Sequence, residues 1–213
     1  GKTLGIILAA LLALAAGILI SWQLSAPPAL QAPQVTKTKS ATLLPQLKGL
    51  QPFSLKDQFG RPFGNQELLG KWTFLSFGYT HCPDICPTTL AMLKNMDQRL
   101  QSSGVSAPHQ VAFVSIDPER DSLQRLAEYM EYVDPAFLGV TGSDDELKRL
   151  TQPLGILYAK VVTEKSAMGY VMDHSASIIL VDPKGRYHAL FSSPHDPAIM
   201  AEDFLSIGKN YSG

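Results

Sequence analysis

Phe77-Gly78-Tyr79-Thr80-His81-Cys82-Pro83-Asp84-Ile85-Cys86-Pro87 holds both cysteines of the 213-residue chain, with three residues between them and a proline after each. A residue before proline is pushed out of the right-handed helical region, so neither cysteine is expected in mid-helix. Pro87 suits the first position of a helix, where its missing N–H is not needed. Thr88 to Leu100 then carries Leu90, Leu93 and Leu100 at helical spacing for a buried stripe. This predicts Cys86 at the N-cap, where the helix dipole and unpaired N–H groups favour the thiolate, the form that is both nucleophile and metal ligand. An ionised Asp84 acts in the opposite sense.

Working outward, Trp72 to Tyr79 reads as a buried strand rich in aromatics and ending near glycine. A strand, a short cysteine loop and a helix start form the layout of a thioredoxin-type redox or metal site. A structural disulfide or two inert thiols is the alternative, although a strand-to-helix loop is an exposed place for thiols that merely pack. Downstream, Val111 to Ile116 is a β-branched, aromatic run stopped by Asp117-Pro118, read as a central strand. Ser122 caps a helix to Val133, Phe137 to Val140 is a short strand, and Ser143 caps a helix to about Leu150. Tyr158 to Val162 and Ala176 to Val181 read as strands with a loop, Thr163 to His174, between them. Asp182-Pro183-Lys184-Gly185 turns the chain into a strand from Arg186 to Phe191, and a last helix runs from Asp196 to about Ile207. Phe53 to Asp57 and Arg61 to Phe63 form a β-hairpin upstream of all this. The order is thioredoxin-like α/β with an added N-terminal β-hairpin and a loop insertion.

At the amino end, Leu4 to Ile20 is an unbroken apolar run, at the short end of the roughly 17–25 residues that span a bilayer. A signal-peptide core is usually shorter, about 7–15 residues, so the run is read as a retained single transmembrane helix, with cleavage near Ala26 as the alternative. Residues 1–22 are thus the expected anchor, 23–49 a proline- and lysine-containing tether, and 50–213 the folded domain. Lys2 on the cytoplasmic side places that domain outside, where thiols meet an oxidising compartment. A net charge of −1 argues against nucleic acid as a main partner.

Two thiolates serve disulfide exchange or a soft metal. Thioredoxin-type catalysts have two residues between their cysteines; three relax the loop and let both sulfurs face one ion. Soft thiolates select Cu(I) or zinc, and the Irving–Williams order favours copper among divalent ions. A third ligand is open among His81, His109, His174, His188, His195, Met168 and Met172. His174, at the mouth of an apolar strand, is the most suggestive. His81 points to the opposite face from Cys82 if the segment is extended, and is read as tuning the site.

Phe77 to Pro87, Val114-Ser115-Ile116-Asp117-Pro118-Glu119-Arg120-Asp121 and Asp173-His174-Ser175-Ala176-Ser177 together closely resemble the Sco/SenC family. The resemblance implies a membrane-anchored, thioredoxin-like domain that binds copper, as Cu(I) or Cu(II), through Cys82, Cys86 and His174. It further implies a role in assembling the dinuclear copper centre of cytochrome c oxidase. Subunit II of that enzyme or another copper-accepting protein is then the partner, and the inner membrane, with the domain in the periplasm or the mitochondrial intermembrane space, is the location. Two alternatives stay open: a thiol–disulfide oxidoreductase that uses Cys82 and Cys86 as its redox pair to keep the cysteines of that centre reduced, with a thioredoxin-like reductase as its partner, and a redox or copper sensor. A peroxiredoxin is disfavoured, since its P-x-x-x-T-x-x-C pattern would want proline and threonine where Leu75 and Tyr79 stand. Asp117 to Asp121 is explained as a turn and helix approach, and Asp173 as a candidate to orient His174.

Overall fold

The computed structural model describes residues 17, 37–104, 107–164 and 169–211. In chain order the elements are β1 (Ala41–Gly49), β2 (Ser54–Asp57), β3 (Pro62–Gly64), β4 (Trp72–Gly78), α1 (Ile85–Ser102), β5 (His109–Ser115) and α2 (Leu123–Val133). Then follow β6 (Leu138–Thr141), α3 (Asp144–Thr151), β7 (Tyr158–Val162), β8 (Tyr170–His174), β9 (Ile178–Val181), β10 (Arg186–Phe191) and α4 (Pro197–Lys209). Eight strands form one sheet in the order β1-β10-β9-β4-β5-β6-β2-β3, and β7 and β8 form a separate pair.

The aromatic run is the middle of that sheet. β4 is buried at every position, parallel to β5 on one side and antiparallel to β9 on the other. Burial on both faces is why its sequence shows no polar alternation. Trp72 and Phe74 face a core closed by Leu90, Leu93 and Met96 of α1, Leu126 and Met130 of α2, and Met200 and Phe204 of α4. Leu75 and Phe77 face a second core with Leu55, Phe63, Leu147, Leu150 and Val181. Serine caps start α2 and α3 as the sequence predicts: Ser122 accepts from the Arg125 amide and Ser143 from the Glu146 amide, each cap stabilising by about 0.5–2 kcal/mol.

Three expectations need correction. The end of the expected tether is strand β1, which pairs with β10 at the edge of the sheet and extends the folded unit upstream of Leu50. Pro45 lies in the irregularity between Leu43 and Lys48, as suits an edge strand, where a missing N–H costs no ladder bond. The expected loop 163–174 contains β8, which folds back on β7 with Tyr158 opposite His174 and Val162 opposite Tyr170. The β2–β3 hairpin is no separate appendage, because β2 pairs with β6 and continues the main sheet. The expected anchor, apart from Gly17, and residues 23–36 of the tether lie outside the described residues. Among the described residues no helix is long and apolar enough to cross a membrane.

Candidate metal centre

Sheet register sets the floor of the site. Gly78 is level with Ser115, and Ser76 with Ile178, so the ends of β4 and β5 and the start of β9 open at one end of the sheet. Ligands of parallel sheets bind beyond such carboxyl ends. The cysteine loop leaves β4 through a turn in which the Cys82 amide donates to the Tyr79 carbonyl at 3.2 Å. Thr80 is fixed from below by Asp121, which is 1% exposed. The carboxylate accepts from the Thr80 amide at 2.8 Å, the Thr80 hydroxyl at 2.7 Å and the Ser115 hydroxyl at 2.5 Å.

α1 begins at Ile85, not after Cys86, with Asp84 at the N-cap making no side-chain capping bond. Cys86 is therefore inside the first turn rather than at the N-cap. Pro87 is the third helical residue, which proline tolerates because the first N–H groups of a helix have no intrahelical acceptor. The shift reverses the expected roles of the thiols. Cys86 is buried, and it is Cys82, half-buried, whose sulfur accepts the helix-terminal amide of Cys86 at 3.4 Å. The Cys86 thiol, then His174 and the main-chain N–H groups of Asp84 and Cys86, hold the Cys82 thiol far below its ordinary value, although burial opposes them. The Cys82 sulfur and burial push Cys86 up.

β8 ends in His174 above this pair. His174 Nε2 is 3.5 Å from the Cys86 sulfur, and Nδ1 is 3.1 Å from the Ser175 carbonyl. A carbonyl can only accept, so Nδ1 carries a proton and Nε2 is the nitrogen turned towards the sulfurs, free to coordinate when the ring is neutral. Burial lowers the His174 pKa, but the Cys82 sulfur and the Ser175 carbonyl outweigh it and leave a net rise. The Cys82 and Cys86 sulfurs and a His174 ring nitrogen lie within 4.8 Å of one another, a set able to hold one soft metal ion. Cys82 and His174 border a pocket of about 480 Å³ that Tyr79, Pro83, Ile85, Val161 and Met172 also line.

The other candidates are elsewhere. His81 bonds Thr80 Oγ1 at 3.1 Å and lies 3.5 Å from Asp121, on the bracing side of the loop. His109 pairs with Asp97, His188 packs edge-on against Trp72, and His195 donates to the Ala176 carbonyl. Asp173 is exposed and reaches His174 through its charge. Met172 lines the pocket; Met168 lies outside the described residues. Two contributors escape sequence reasoning: Asp121, read as part of a turn, and Gly78, whose signal is a lone glycine closing an apolar strand.

The sequence profile of the SCO1/SenC family matches residues 42–208. Among relatives, the mitochondrial SCO1 homolog 1 of Arabidopsis thaliana is 38% identical over 146 residues, 68% of this chain and 42% of that protein. The SCO2-like protein RP587 of Rickettsia prowazekii is 33% identical over 159 residues, 75% of each chain. The match thus spans less than half of the plant protein and three quarters of the bacterial one. Among solved structures, Arabidopsis thaliana ScoI with copper bound superposes with a TM-score of 0.72 at 32% identity, covering 77% of this chain and 100% of that one. The architecture is therefore thioredoxin-like α/β, and with a profile that spans both the cysteine loop and the His174 strand, the protein belongs to the SCO1/SenC family.

Proposed function

We propose that the protein is a copper carrier: it takes up one copper ion on Cys82, Cys86 and His174 and passes it on during assembly of the dinuclear copper centre of cytochrome c oxidase. The observation that carries this reading is two sulfurs and an imidazole nitrogen within 4.8 Å of one another. The copper-bound Arabidopsis relative supports copper as the ion. Cys82 is already held towards its thiolate and Cys86 must release its proton to bind, so uptake releases protons. Three protein donors beside an open pocket suit an ion that has to leave again. The acceptor in this reading is oxidase subunit II or another copper-accepting protein. The apolar run Leu4 to Ile20 supports an anchor in the inner membrane, with the domain on the periplasmic or intermembrane-space side.

A second reading is favoured by the unlike thiols. Cys82, accessible and acidic, would attack a substrate disulfide and displace one substrate thiolate, forming a mixed disulfide. Cys86, buried beside it, would then attack the Cys82 sulfur, releasing the second substrate thiolate and leaving a Cys82–Cys86 disulfide. A thioredoxin-like reductase would return the two electrons.

Copper titration of the reduced full chain, with elemental analysis after gel filtration, tests the carrier. The expected ratio is one copper per chain, with His174→Ala weakening Cu(II) binding more than Cu(I) binding. Equal retention of both ions by His174→Ala would remove the imidazole from the site.

A further inference from the structure

β8 pairs only with β7 among the described strands, and the two stand outside the main sheet. Sheet register therefore does not determine where His174 sits over the cysteine loop. Other contacts must, and one that grips both the main chain and a side chain is at the far end of β8, at Tyr170.

Arg120 follows the turn after β5, and its side chain is only 9% exposed. Its Nε donates to Asp117 Oδ2, and its Nη1 donates to the Tyr170 carbonyl at 3.2 Å. The Tyr170 hydroxyl in turn donates to Asp117 Oδ1 at 2.9 Å. Tyr170 is thus gripped at both its main chain and its ring tip by one buried ion pair. Asp117 is itself fixed, 2% exposed, with its amide donating to Ser115 Oγ at 3.2 Å.

The guanidinium also lies between the two halves of the site. Its carbon is 3.6 Å from the centroid of the Tyr170 ring and 5.3 Å from that of Tyr79. Tyr79 opens the cysteine loop, and its ring meets the His174 ring edge-on at 6.3 Å. One cation therefore touches the strand that carries the imidazole and the residue that leads into the thiols. Stability alone is a weak account of it, because Arg120 Nη2 is buried without a hydrogen-bond partner among the described residues. A packed apolar side chain of similar volume often replaces a buried ion pair at no cost. What an apolar side chain cannot do is hold a main-chain carbonyl, a carboxylate and two ring faces in one fixed geometry.

We infer that Arg120 is a positioning residue for the metal site: by clamping Tyr170 to Asp117 and stacking against Tyr79, it sets His174 Nε2 at its distance from the two sulfurs. The inference rests on the reading of His174 as a ligand. It assigns to Arg120 no contact with the ion.

The test compares Arg120→Met, Arg120→Lys, Tyr170→Phe and His174→Ala in the reduced full chain. One readout needs no metal. In Arg120→Met, hydrogen exchange of the β8 amides should quicken by about tenfold or more while the core strands keep their protection, as in local opening. The ¹⁵N signals of the His174 ring should also move towards those of a solvated imidazole. The second readout is copper. Arg120→Met should weaken Cu(II) binding by about 10–100-fold, the usual effect of losing a group that orients a ligand. It should lose the nitrogen coupling from the Cu(II) resonance and change Cu(I) binding far less. Arg120→Lys, with the charge but no fork, should fall in between. Adding His174→Ala to Arg120→Met should cost Cu(II) affinity no more than His174→Ala alone, since both remove the same ligand.

Parental β8 exchange together with parental Cu(II) affinity in Arg120→Met overturns the inference. If that variant does not fold, Tyr170→Phe, which deletes a single hydroxyl, decides by the same two readouts. A His174→Ala protein that keeps the parental Cu(II) spectrum overturns the ligand reading, and this inference with it, without reference to any Arg120 variant.

Discussion

A β-carbon placed on Gly78 would stand 2.7 Å from the Cys86 sulfur and 2.8 Å from the Phe113 ring. The end of β4 and the buried thiol are so close that only hydrogen fits between them, which is how Cys86 comes to lie at the candidate metal centre while 3% exposed. Gly78→Ala is expected to lower stability by about 1–3 kcal/mol, the usual cost of overpacking, and to weaken copper binding by moving one sulfur. Gly139→Ala is the control, since its new carbon would meet Met130 at 2.9 Å, away from the site. Thermal unfolding should show both variants destabilised; copper titration should separate them. Parental copper affinity in Gly78→Ala would mean that the close approach has no bearing on the site.

Asp121 is the post on which the cysteine loop stands. Asp121→Asn replaces one acceptor oxygen by an NH₂ group facing donors from Thr80 and Ser115, and leaving a buried donor unpaired costs about 1–3 kcal/mol. The variant should unfold at lower temperature, and its Cys82 should react faster with iodoacetamide as the loop loosens. Thr80→Val, which deletes one of the three bonds, should shift both in the same direction by less. An Asp121→Asn protein with parental melting and parental alkylation would show that the loop holds its own shape.

These two residues also mark where the sequence stops being readable. The cysteines and His174 could be picked out because few side chains do soft-metal chemistry, and β4 and β5 because apolar runs buried on both faces leave no other reading. Asp121 and Arg120 were hidden because their partners are remote: Thr80 is 41 residues from Asp121, and Tyr170 is 50 from Arg120. An Asp-Pro-Glu-Arg-Asp stretch looks like a turn until those distances close. β8 was hidden for a different reason. None of its residues is fully buried, so it carries no hydrophobic period to separate it from a loop. β1 was masked by Pro45 and by its mixed, mostly exposed surface. The Cys86 N-cap was wrong by two residues, a usual error at helix ends, yet it was enough to exchange the chemical roles of the thiols.

Four bonds at the start of β1 converge on one carboxylate, whose ionisation sets a pH limit. Asp203 accepts from the main-chain N–H groups of Lys39, Ser40 and Ala41 and from the Ser40 hydroxyl. Burial by itself would raise its pKa; the four donors outweigh burial and leave it below the ordinary value of 3.8. A carboxylate depressed in the folded state contributes stability that is complete above its unfolded pKa and is lost as pH falls through the folded one. The amides of Lys39 to Ala41 should therefore stay protected from hydrogen exchange at pH 6 and lose protection below the ordinary carboxylate range, after correction for intrinsic rates. Asp203→Asn should be poorly protected at both pH values. Protection in the parent that does not change between pH 6 and pH 2.5 would show that this contact does not depend on the charge.

Copper loading and disulfide formation should exclude each other, which would make the site a redox-gated carrier. The two sulfurs lie within 4.8 Å, and the Cys86 amide already reaches the Cys82 sulfur at 3.4 Å, so the loop can close with a small movement. Closure removes two protons and two electrons and joins the sulfurs, and each then lacks the thiolate lone pair that a soft ion needs. His174 would be left as a single neutral donor, too little for tight binding. Because Cys86 is buried and Cys82 half-exposed, an oxidant must attack Cys82 first, and Cys82→Ser should protect Cys86 from modification in the folded protein. The decisive measurement oxidises the metal-free chain, confirms a loss of two mass units for the two thiol hydrogens, and titrates copper before and after a reductant. The oxidised form should bind weakly, and reduction should restore one tight site per chain. Tight binding by the fully oxidised form would sink the gate and move the ligands away from the sulfurs, towards His174 and Met172.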